Sequence, residues 1–365
     1  MKILIDIGHP AHIHLFKHFA WAMQKKGHAI LFTSRDKEVT IQLLKAYKFK
    51  FFTFGKPHKK MIGKIWGLIK FDFLLYKAVL KFNPDILLSA GSIYAAQVAF
   101  LIKKPHISLE DTGNHEQVSL YKPFTEIILT SNSFHKNYGS KQIKYNGYHE
   151  LAYLHPHYFS PDSSILKNLG VKENEKFVIL RFVSWHASHD SGQAGLLLPM
   201  KRKIVKEILK YVKLFISSED ELPGDLQPYQ MKIPPEKIHE VLAQAALYLG
   251  EGATISSECA MLGTPAIYVN SITAGTLEEQ ERYGLLYSFR NSRGVLEKAL
   301  ALLNTPNLRQ IHQRRRQKML ADKIDVTAFL IWFIETHPQS IAMMKENPEY
   351  QYRFKRDFGT GCGEN

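Results

Sequence analysis

Cysteine is scarce in this sequence, and long apolar runs are missing from it. The chain has 365 residues and two cysteines, Cys259 and Cys362, so it carries no disulfide framework and suits a reducing cytosol. No apolar stretch approaches the roughly 18 residues that a membrane-spanning helix needs. The N-terminal MKILIDI is typical of a strand rather than of a signal peptide. We therefore expect a cytoplasmic protein.

Arginine and acidic residues are scarce in the N-terminal part of the chain. The formal net charge is +14, yet Arg35 is the only arginine in the first 150 residues. Between Lys48 and Phe82, lysines alternate with Phe, Trp, Ile and Leu, and Asp72 is the only acid. A basic, aromatic-rich surface of this kind suits anionic lipid headgroups, so the segment predicts contact with a membrane surface or a lipid-linked acceptor.

Two other interpretations of the segment 48–82 compete with the membrane surface. Nucleic acid would also attract the lysines, but the chain has no zinc-finger spacing, RNA-recognition signature or Arg-rich arm, and we expect no nucleic-acid partner. The other interpretation is a single core helix with solvated lysines. Its apolar stripe would consist of Ile62, Ile65, Trp66, Ile69 and Phe73.

Short strands and helices alternate along most of the chain. This alternation predicts an α/β fold with two doubly wound, Rossmann-like domains, and a chain that is 45% hydrophobic is long enough for two cores. The irregular stretch 147–162 suggests a linker. We predict an N-terminal domain over 1–155, a C-terminal domain over 156–325, and a closing helix with a polar tail over 326–365. Ligands of such sheets bind at the carboxyl ends of the strands.

The segment Tyr248 to Val269, YLGEGATISSECAMLGTPAIYV, carries the strongest motif. A predicted strand ends in a turn with Gly250 and Gly252, and a helix capped by Thr254 or Ser256 follows and ends at Gly263. The N-terminus of such a helix favours phosphate, and Glu258 lies about one turn inside it. The motif predicts a nucleotide-diphosphate site, although Gly-rich turns of this kind also occur as plain structure in α/β proteins.

The loop after the first strand is rich in histidine. It reads Gly8-His9-Pro10-Ala11-His12-Ile13-His14, which could suggest a metal. Structural zinc normally needs four ligands, and no paired cysteine or acid lies beside these histidines, so a polar, substrate-facing loop is the better interpretation. We expect neither a metal nor a cofactor.

Two further strand ends carry polar residues. Gly91, Ser92 and Tyr94 follow the strand that begins at Ile86, where an ordinary tight turn explains them equally well. The other loop runs from Glu110 to Glu116 and contains Asp111, Asn114 and His115. A carboxylate at a strand end can serve as a general base, and Asp111 is the best candidate. Helix capping by Asp111 or Asn114 is the alternative.

The order G-A-x-x-x-S-E followed by G-T-P resembles the donor motif of GT-B fold glycosyltransferases. The likeness extends to the N-acetylglucosaminyltransferase that acts on the lipid-linked precursor of peptidoglycan. The resemblance implies a nucleotide-sugar donor, with the diphosphate near the Gly-Ala turn and the ribose on the glutamate. The donor-site residues that it implies are Arg181, Ser184, Gly252, Ala253, Thr254, Glu258 and Gln280.

The same resemblance implies an acceptor side in the N-terminal domain. His12 matches the histidine of that family's first loop, although G-H-P-A-H departs from the family's G-G-x-G-G-H. The acceptor-side residues that the resemblance or their loops suggest are Gly8, His9, Gly91, Ser92, Tyr94 and His115.

Motifs along nearly the whole chain are similar to those of a family of uncharacterised archaeal and bacterial GT-B-like proteins. The shared motifs are I-D-I-G-H-P-A-H, L-R-F-V-S-W-x-A-S-H-D at 180–190, G-E-G-A-T at 250–254 and G-T-P-A-I-Y-V at 263–269. This likeness implies a GT-B-like fold, in which two Rossmann-like domains face a cleft.

Three hypotheses for function follow from these residues. The first is a metal-independent glycosyltransferase of cell-surface glycan synthesis, with Asp111 or His12 as the base. The second is a non-hydrolysing nucleotide-sugar 2-epimerase. Those enzymes typically carry G-T-R-P-E after the first strand and adjacent glutamates in the Gly-rich motif, whereas this chain has Gly8-His9-Pro10 and Glu258 alone. The third is a membrane-associated nucleotide-sugar-binding protein without catalysis.

Overall fold

A computed structural model describes residues 1–56, 61–183 and 196–356, without the side chains of 61–69. The chain forms two compact units. The first comprises Met1–Tyr153 together with the C-terminal segment from Lys323, and the second comprises Leu154–Asp322. The segment that begins at Lys323 thus belongs to the first unit, whereas the sequence analysis treated 326–365 as a separate closing element.

The first unit is built on a seven-stranded parallel sheet with the order β3-β2-β1-β4-β5-β6-β7. Between β1 and β4 the winding reverses direction, which makes the ends of these strands the switch point where ligands bind in such sheets. The strands are β1 (Lys2–Ile7), β2 (Ala29–Ser34), β3 (Phe51–Thr53), β4 (Ile86–Ala90), β5 (His106–Glu110), β6 (Ile127–Ser131) and β7 (Gln142–Tyr145).

Helices connect these strands, and apolar side chains fill the space between helices and sheet. One core cluster joins Leu4, Leu31 and Leu87 of the sheet to Leu75 and Val98 of two helices. The helices up to the second unit are α1 (Pro10–Lys25), α2 (Thr40–Ala46), α3 (Met61–Phe82), α4 (Ile93–Leu101), α5 (His115–Tyr121) and α6 (Leu151–Leu154).

The second unit is built on a five-stranded parallel sheet with the order β12-β11-β10-β8-β9. Its strands are β8 (Phe177–Phe182), β9 (Lys213–Ser218), β10 (Leu247–Gly250), β11 (Ala266–Val269) and β12 (Leu286–Phe289). Its helices are α7 (Ile165–Asn168), α8 (Leu198–Ile208), α9 (Ile238–Gln244), α10 (Ala253–Leu262), α11 (Gly275–Arg282), α12 (Val295–Leu303) and α13 (Leu308–Asp322).

The C-terminal segment is helical where the sequence analysis expected a polar tail from His337 onward. It forms α14 (Val326–Glu335), α15 (Gln339–Glu346) and a 3-10 turn at Pro348–Phe354. Aromatic packing explains the order of this segment, because the rings of Trp332 and Phe354 lie 5.4 Å apart and Phe329 is fully buried.

The basic run Arg314-Arg315-Arg316 lies on α13, and two of its three guanidinium groups bind backbone carbonyls of other elements. Arg315 donates to the carbonyl of Gly284, and Arg316 donates to the carbonyl of Met261. Burial lowers the pKa of Arg316 to about 10. The guanidinium groups tie α13 to the rest of the unit because they satisfy backbone carbonyls at the ends of other elements.

No helix within the described ranges is long and apolar enough to cross a membrane. The longest, α3, is amphipathic in the part whose side chains are described, since Phe71, Leu75 and Val79 are buried and Lys77 and Lys81 are exposed.

Candidate functional site

The predicted histidine loop after β1 is largely the start of a helix. Pro10 occupies the first turn of α1, and Nδ1 of His9 accepts a hydrogen bond from the amide of Ala11 at 3.2 Å, which caps the helix. The loop expected over Gly8–His14 is therefore two residues long. Nδ1 of His12 lies 3.4 Å from the amide of Gly8, which fixes the imidazole at the end of β1.

Asp6, which the sequence analysis did not single out, organises the ends of β1, β2 and β4. Its fully buried carboxylate accepts hydrogen bonds from Thr33 Oγ1 at 2.8 Å, Arg35 Nη1 at 3.0 Å and Ser92 Oγ at 2.5 Å. The guanidinium of Arg35 also lies 4.8 Å from the ring centroid of Tyr94. The hydroxyl of Ser92 is thus bound inside the protein, and Tyr94 forms one side of the Arg35 site.

Gly91 occupies a turn that needs glycine for structural reasons. Its φ of 70° lies in the left-handed region, and a Cβ there would lie 3.1 Å from Nε2 of Gln117. The same nitrogen donates a hydrogen bond to the carbonyl of Gly91 at 2.5 Å. These contacts agree with the tight-turn alternative for Gly91, and Ser92 accepts a hydrogen bond from the amide of Ala95 as the N-cap of α4.

Glu110 shapes the turn that presents Asp111. It lies at the end of β5 rather than in the loop, and its buried carboxylate accepts hydrogen bonds from the amides of Thr112 and Gly113 and from the hydroxyl of Tyr121. Asn114 caps α5 by accepting from the amide of Gln117, as one alternative held, and the exposed His115 begins that helix.

The carboxylate of Asp111 contacts a histidine that the sequence analysis passed over. Oδ2 of Asp111 lies 3.0 Å from Nδ1 of His149, and the two side chains are 43% and 10% exposed. Burial opposes ionisation of Asp111, but His149, His12 and His9 outweigh it and lower the pKa of Asp111 to about 2. Burial lowers the pKa of His149, and the charge of Asp111 more than compensates, so that this pKa is raised.

His12 and Asp111 form one electrostatic cluster. Burial lowers the pKa of His12 to about 3, and His9, His149 and Arg35 lower it further, whereas the carboxylate of Asp111 raises it. The imidazole of His12 is therefore neutral near pH 7, beside an ionised carboxylate. The structure thus brings together the two predicted catalytic residues and adds His149. Within the described ranges, no group of three or more His, Cys, Asp or Glu is arranged to hold a metal ion.

In the second unit, α10 begins without a side-chain cap. Gly252 is its N-cap residue, and neither Thr254 nor Ser256 caps it as predicted, because Ser256 Oγ donates to the carbonyl of Gly252 at 2.8 Å. The first-turn amides, which include those of Ala253 and Thr254, are therefore left to an external acceptor such as phosphate or water. At the other end of α10, Gly263 has a φ of 71° and terminates the helix as predicted.

Gly250 and Gly252 differ in what surrounds them. A Cβ at Gly250 would overlap the hydroxyl of Tyr248 and lie 2.8 Å from Cβ of Arg181, so only glycine fits there. Among the residues that the structure describes, a Cβ at Gly252 would meet only Val183 Cγ1, at 3.6 Å. Gly250 is therefore a packing requirement, whereas no other described residue would be within 4 Å of a Cβ at Gly252.

The predicted donor-binding side chains are engaged with other residues of the second unit. Oε1 of Glu258 lies 3.0 Å from Nε2 of His239, and both side chains are buried. Gln280 is fully buried and donates to Ser257 Oγ at 2.7 Å. Arg181 donates to Ser217 Oγ and Glu219 Oε1. Ser184 lies outside the described residues, as do the other polar residues of the segment 184–195.

Glu251 is a third residue that the sequence analysis missed, although it stands inside the Gly-rich motif. Its buried carboxylate accepts hydrogen bonds from the amides of Val183 at 3.1 Å and Leu196 at 2.6 Å, and it pairs with Lys201 Nζ at 3.0 Å. One carboxylate therefore holds both ends of the segment 184–195, beside the N-terminus of α10.

The exposed face of α3 alternates lysine with apolar side chains. Phe73 and Leu80 are 55% and 60% exposed, and Lys77 Nζ lies 4.4 Å from the ring centroid of Phe73. Phe73 is therefore not part of the core stripe that the sequence analysis considered, and the other members of that stripe lie among the side chains that are not described. The exposed face consists of Lys70, Phe73, Lys77, Leu80 and Lys81.

The two parallel sheets with their connecting helices define a GT-B-like α/β fold made of two Rossmann-like units. The chain belongs to the family described as "Protein of unknown function (DUF354)", whose model matches residues 1–333. No curated protein matches the sequence.

Solved structures with the same fold include epimerases and glycosyltransferases. The UDP-GlcNAc 2-epimerase from Neisseria meningitidis bound to UDP-GlcNAc is 14% identical, with a TM-score of 0.60 over 86% of this chain and 94% of that one. S. aureus MnaA with UDP is 13% identical, with a TM-score of 0.65 over 93% of this chain and 98% of that one. The glycosyltransferase SsfS6 from Streptomyces sp. SF2575 is 12% identical, with a TM-score of 0.57 over 92% and 100%.

Proposed function

We propose that this protein is a metal-independent glycosyltransferase that moves a sugar from a nucleotide-diphosphate donor to an acceptor in cell-surface glycan synthesis. The observation that carries the proposal is the uncapped N-terminus of α10 behind the Gly250–Gly252 turn. Free amides at that position favour a diphosphate, whose negative charge grows as the sugar leaves. The UDP and UDP-GlcNAc seen in structures of the same fold support a nucleotide sugar as the donor.

In this proposal the second unit binds the donor. The amides of Gly252, Ala253 and Thr254 would contact the diphosphate, and Arg181, Ser184 and Gln280 would contribute further donor contacts. Glu258 would contact the ribose hydroxyls in addition to the bond that it makes with His239. Buried Glu251 would not contact the donor but would support the site, because it accepts hydrogen bonds from Val183 and Leu196 next to the Gly-rich turn.

The first unit would supply the base. His12 is neutral at physiological pH, so it has a lone pair for the acceptor proton, and the ionised Asp111 would stabilise the imidazolium that results. Asp111 alone is the other candidate base, since its carboxylate is ionised and 43% exposed. Gly8, His9, Gly91, Ser92, Tyr94 and His115 would form or support the acceptor side.

A lipid-linked acceptor on an anionic membrane would explain the exposed face of α3. Lysines of this face would approach acidic headgroups, while Phe73 and Leu80 would enter the interface between headgroups and acyl chains. This part of the proposal places the protein in the cytoplasm and at the inner face of the membrane.

Calorimetric titration with UDP, GDP, ADP and dTDP tests the donor site. We expect one diphosphate to bind the wild type, and Gly252→Ala to weaken binding about tenfold, because a methyl group would stand where the diphosphate approaches. Gly224→Ala is the matched control, since a Cβ there would have no described residue within 4 Å. If no nucleotide binds the wild type, the enzyme proposal is wrong and a lipid-surface protein without catalysis becomes the better hypothesis.

A 2-epimerase is the second candidate, because the cluster of His12, Asp111 and His149 could also move a proton on the sugar itself. An epimerase needs only the donor, whereas a transferase needs an acceptor. Incubation with UDP-GlcNAc alone in D₂O, followed by NMR, separates the two. Deuterium at carbon 2 of the sugar would favour the epimerase. An unchanged sugar that still binds would favour the transferase.

A further inference from the structure

His149 contacts the carboxylate of Asp111 and is much less exposed than that carboxylate. The imidazole follows β7 and is 10% exposed, while the carboxylate that it contacts at 3.0 Å is 43% exposed. The hydrogen bond uses Nδ1, and Nε2 is buried with no hydrogen-bond partner among the residues that the structure describes. A ring whose second nitrogen is closed off from solvent is badly placed to touch a substrate, but it is well placed to fix its neighbour.

The turn that carries Asp111 is fixed on its other side by Glu110. The amides of Thr112 and Gly113 both donate to Oε1 of Glu110, so the backbone after Asp111 is held in one conformation. Between this backbone and His149, the carboxylate of Asp111 has little freedom of orientation. Asp111 is also the one group that raises the pKa of His12, which burial, His9, His149 and Arg35 all lower.

We infer that His149 is a positioning residue, which orients the carboxylate of Asp111 so that Asp111 can stabilise protonated His12. This inference rests on the proposed function for its use in catalysis, but the coupling of the two side chains does not depend on a donor. His149 itself would not touch the acceptor. The titratable groups that act on the pair are His9 and His12 beside Asp111, and Glu110 and Glu150 beside His149.

Carbon-13 NMR titration of the aspartate carboxyl groups tests this inference on the full chain. We expect His149→Leu to raise the proton affinity of Asp111 about tenfold or more, since it removes both a hydrogen bond and a nearby cation. His149→Asn should raise it less, because an amide N–H can still donate where Nδ1 did. The same proton affinity in the wild type and in His149→Leu would overturn the inference.

The pair of His337 and Glu126 provides a matched control. Nε2 of His337 lies 3.1 Å from Oε2 of Glu126, and the two side chains are 11% and 41% exposed. The pair therefore has nearly the same distance and exposure as the His149–Asp111 pair, elsewhere in the first unit. His337→Leu should leave the titration of Asp111 unchanged. If it shifts Asp111 as much as His149→Leu does, the effect is general and the inference is wrong. Should His149→Leu fail to fold, His149→Asn decides, and an unshifted Asp111 overturns the inference.

Nucleotide binding separates this inference from the proposed function. Both His149 variants should bind the diphosphate as the wild type does, because the cradle at α10 is built from the second unit alone. In a transfer assay, the His149 variants should lower kcat and move the acidic limb of the pH profile upward, with little change in the KM for the donor. If the wild type binds no diphosphate, the proposed function fails, and the NMR titration still reports on His149.

Discussion

The candidate sites of the two units are formed by different groups, which are titratable side chains in the first unit and backbone amides in the second. At the strand ends of the first unit, partly exposed titratable side chains such as His12 and Asp111 are backed by buried partners. In the described part of the second unit's candidate site, uncapped backbone amides begin α10, and the polar side chains Glu258 and Gln280 are buried. The first site therefore depends on protonation, whereas the second depends on the shape of a glycine turn.

This difference determines how each site can be damaged. A side chain at the first site can be replaced with small structural cost when its buried partner remains satisfied. A buried side chain at the second site cannot, because its loss leaves another polar group unpaired. Loss of function after a substitution such as Glu258→Ala therefore cannot be attributed to ligand contact until the fold has been checked.

The largest expected effect comes from Glu258→Ala. The substitution leaves the buried His239 without its partner at 3.0 Å and should destabilise the second unit by about 4 kcal/mol. Glu258→Gln keeps an oxygen that can accept from His239 and should cost less than half as much. Hydrogen-exchange mass spectrometry would locate the loss in β10 and β11. Equal stability of the two variants would show that the pair does not stabilise the unit.

Gly250→Ala should destabilise the second unit by about 3 kcal/mol, because the new methyl group overlaps the hydroxyl of Tyr248. Tyr248→Phe in the same chain removes that hydroxyl and should recover part of the loss. Gly252→Ala, two residues away, where a Cβ would meet only Val183 among the described residues, should cost less than about 0.5 kcal/mol. Urea unfolding of the four proteins checks this order, and equal costs at the two glycines would contradict the described packing.

Acid should weaken the first unit through His106. Burial lowers the pKa of this fully buried ring to about 3, and its nitrogens bond Ser89 and Thr125. Because the pKa of His106 in the folded protein lies below its ordinary value of 6.5, the contribution of His106 to stability is complete above about pH 6.5 and is lost as the pH falls. The loss should reach about 2 kcal/mol at pH 5.

His106→Leu should lower the free energy of unfolding at every pH. It should also remove the part of the stability loss between pH 7 and pH 5 that His106 causes. His12, which also has a lowered pKa, adds a loss of the same sign, while the raised pKa of His149 opposes it. Urea titrations at the two pH values measure the change. An unaltered pH dependence in His106→Leu would contradict the assignment.

The smallest effect concerns the exposed face of α3. Lys77→Glu and Lys81→Glu should each weaken binding to vesicles that contain anionic lipid by about 1 kcal/mol, and high salt should weaken wild-type binding as well. Lys203→Glu and Lys206→Glu in the second unit change the net charge equally and serve as controls. If the control pair weakens vesicle binding to the same extent, the interaction follows net charge and not this face.

Sequence reasoning located most strands because their signals are local. The N-terminal MKILIDI forms β1 and β4 begins at Ile86, as predicted, and Gly263 ends α10 as expected. The start of α1 was not predicted, because Gly8–His14 was interpreted as a polar loop on the basis of its three histidines. Pro10, within that segment, is favoured in the first turn of a helix. Here the signal was present in the sequence.

The partners of the candidate residues could not be found in the same way. Asp111 and His149 are brought together because β5 and β7 end at the same edge of one sheet, and nothing local links them. The same holds for Asp6 with Arg35 and Ser92. That Glu258 is buried against His239 depends on how α9 packs beside α10, which helical periodicity does not specify.

The carboxylate of Glu251 offers a place to change the length of a segment without rebuilding the protein. Because Val183 and Leu196 both donate to it, the segment 184–195 begins and ends at one fixed point beside the Gly-rich turn. Lengthening a segment whose ends are already held costs only about 0.6 kcal/mol for each doubling of its length. Chains with the same sheet can therefore carry very different numbers of residues between these two positions at little cost to the fold.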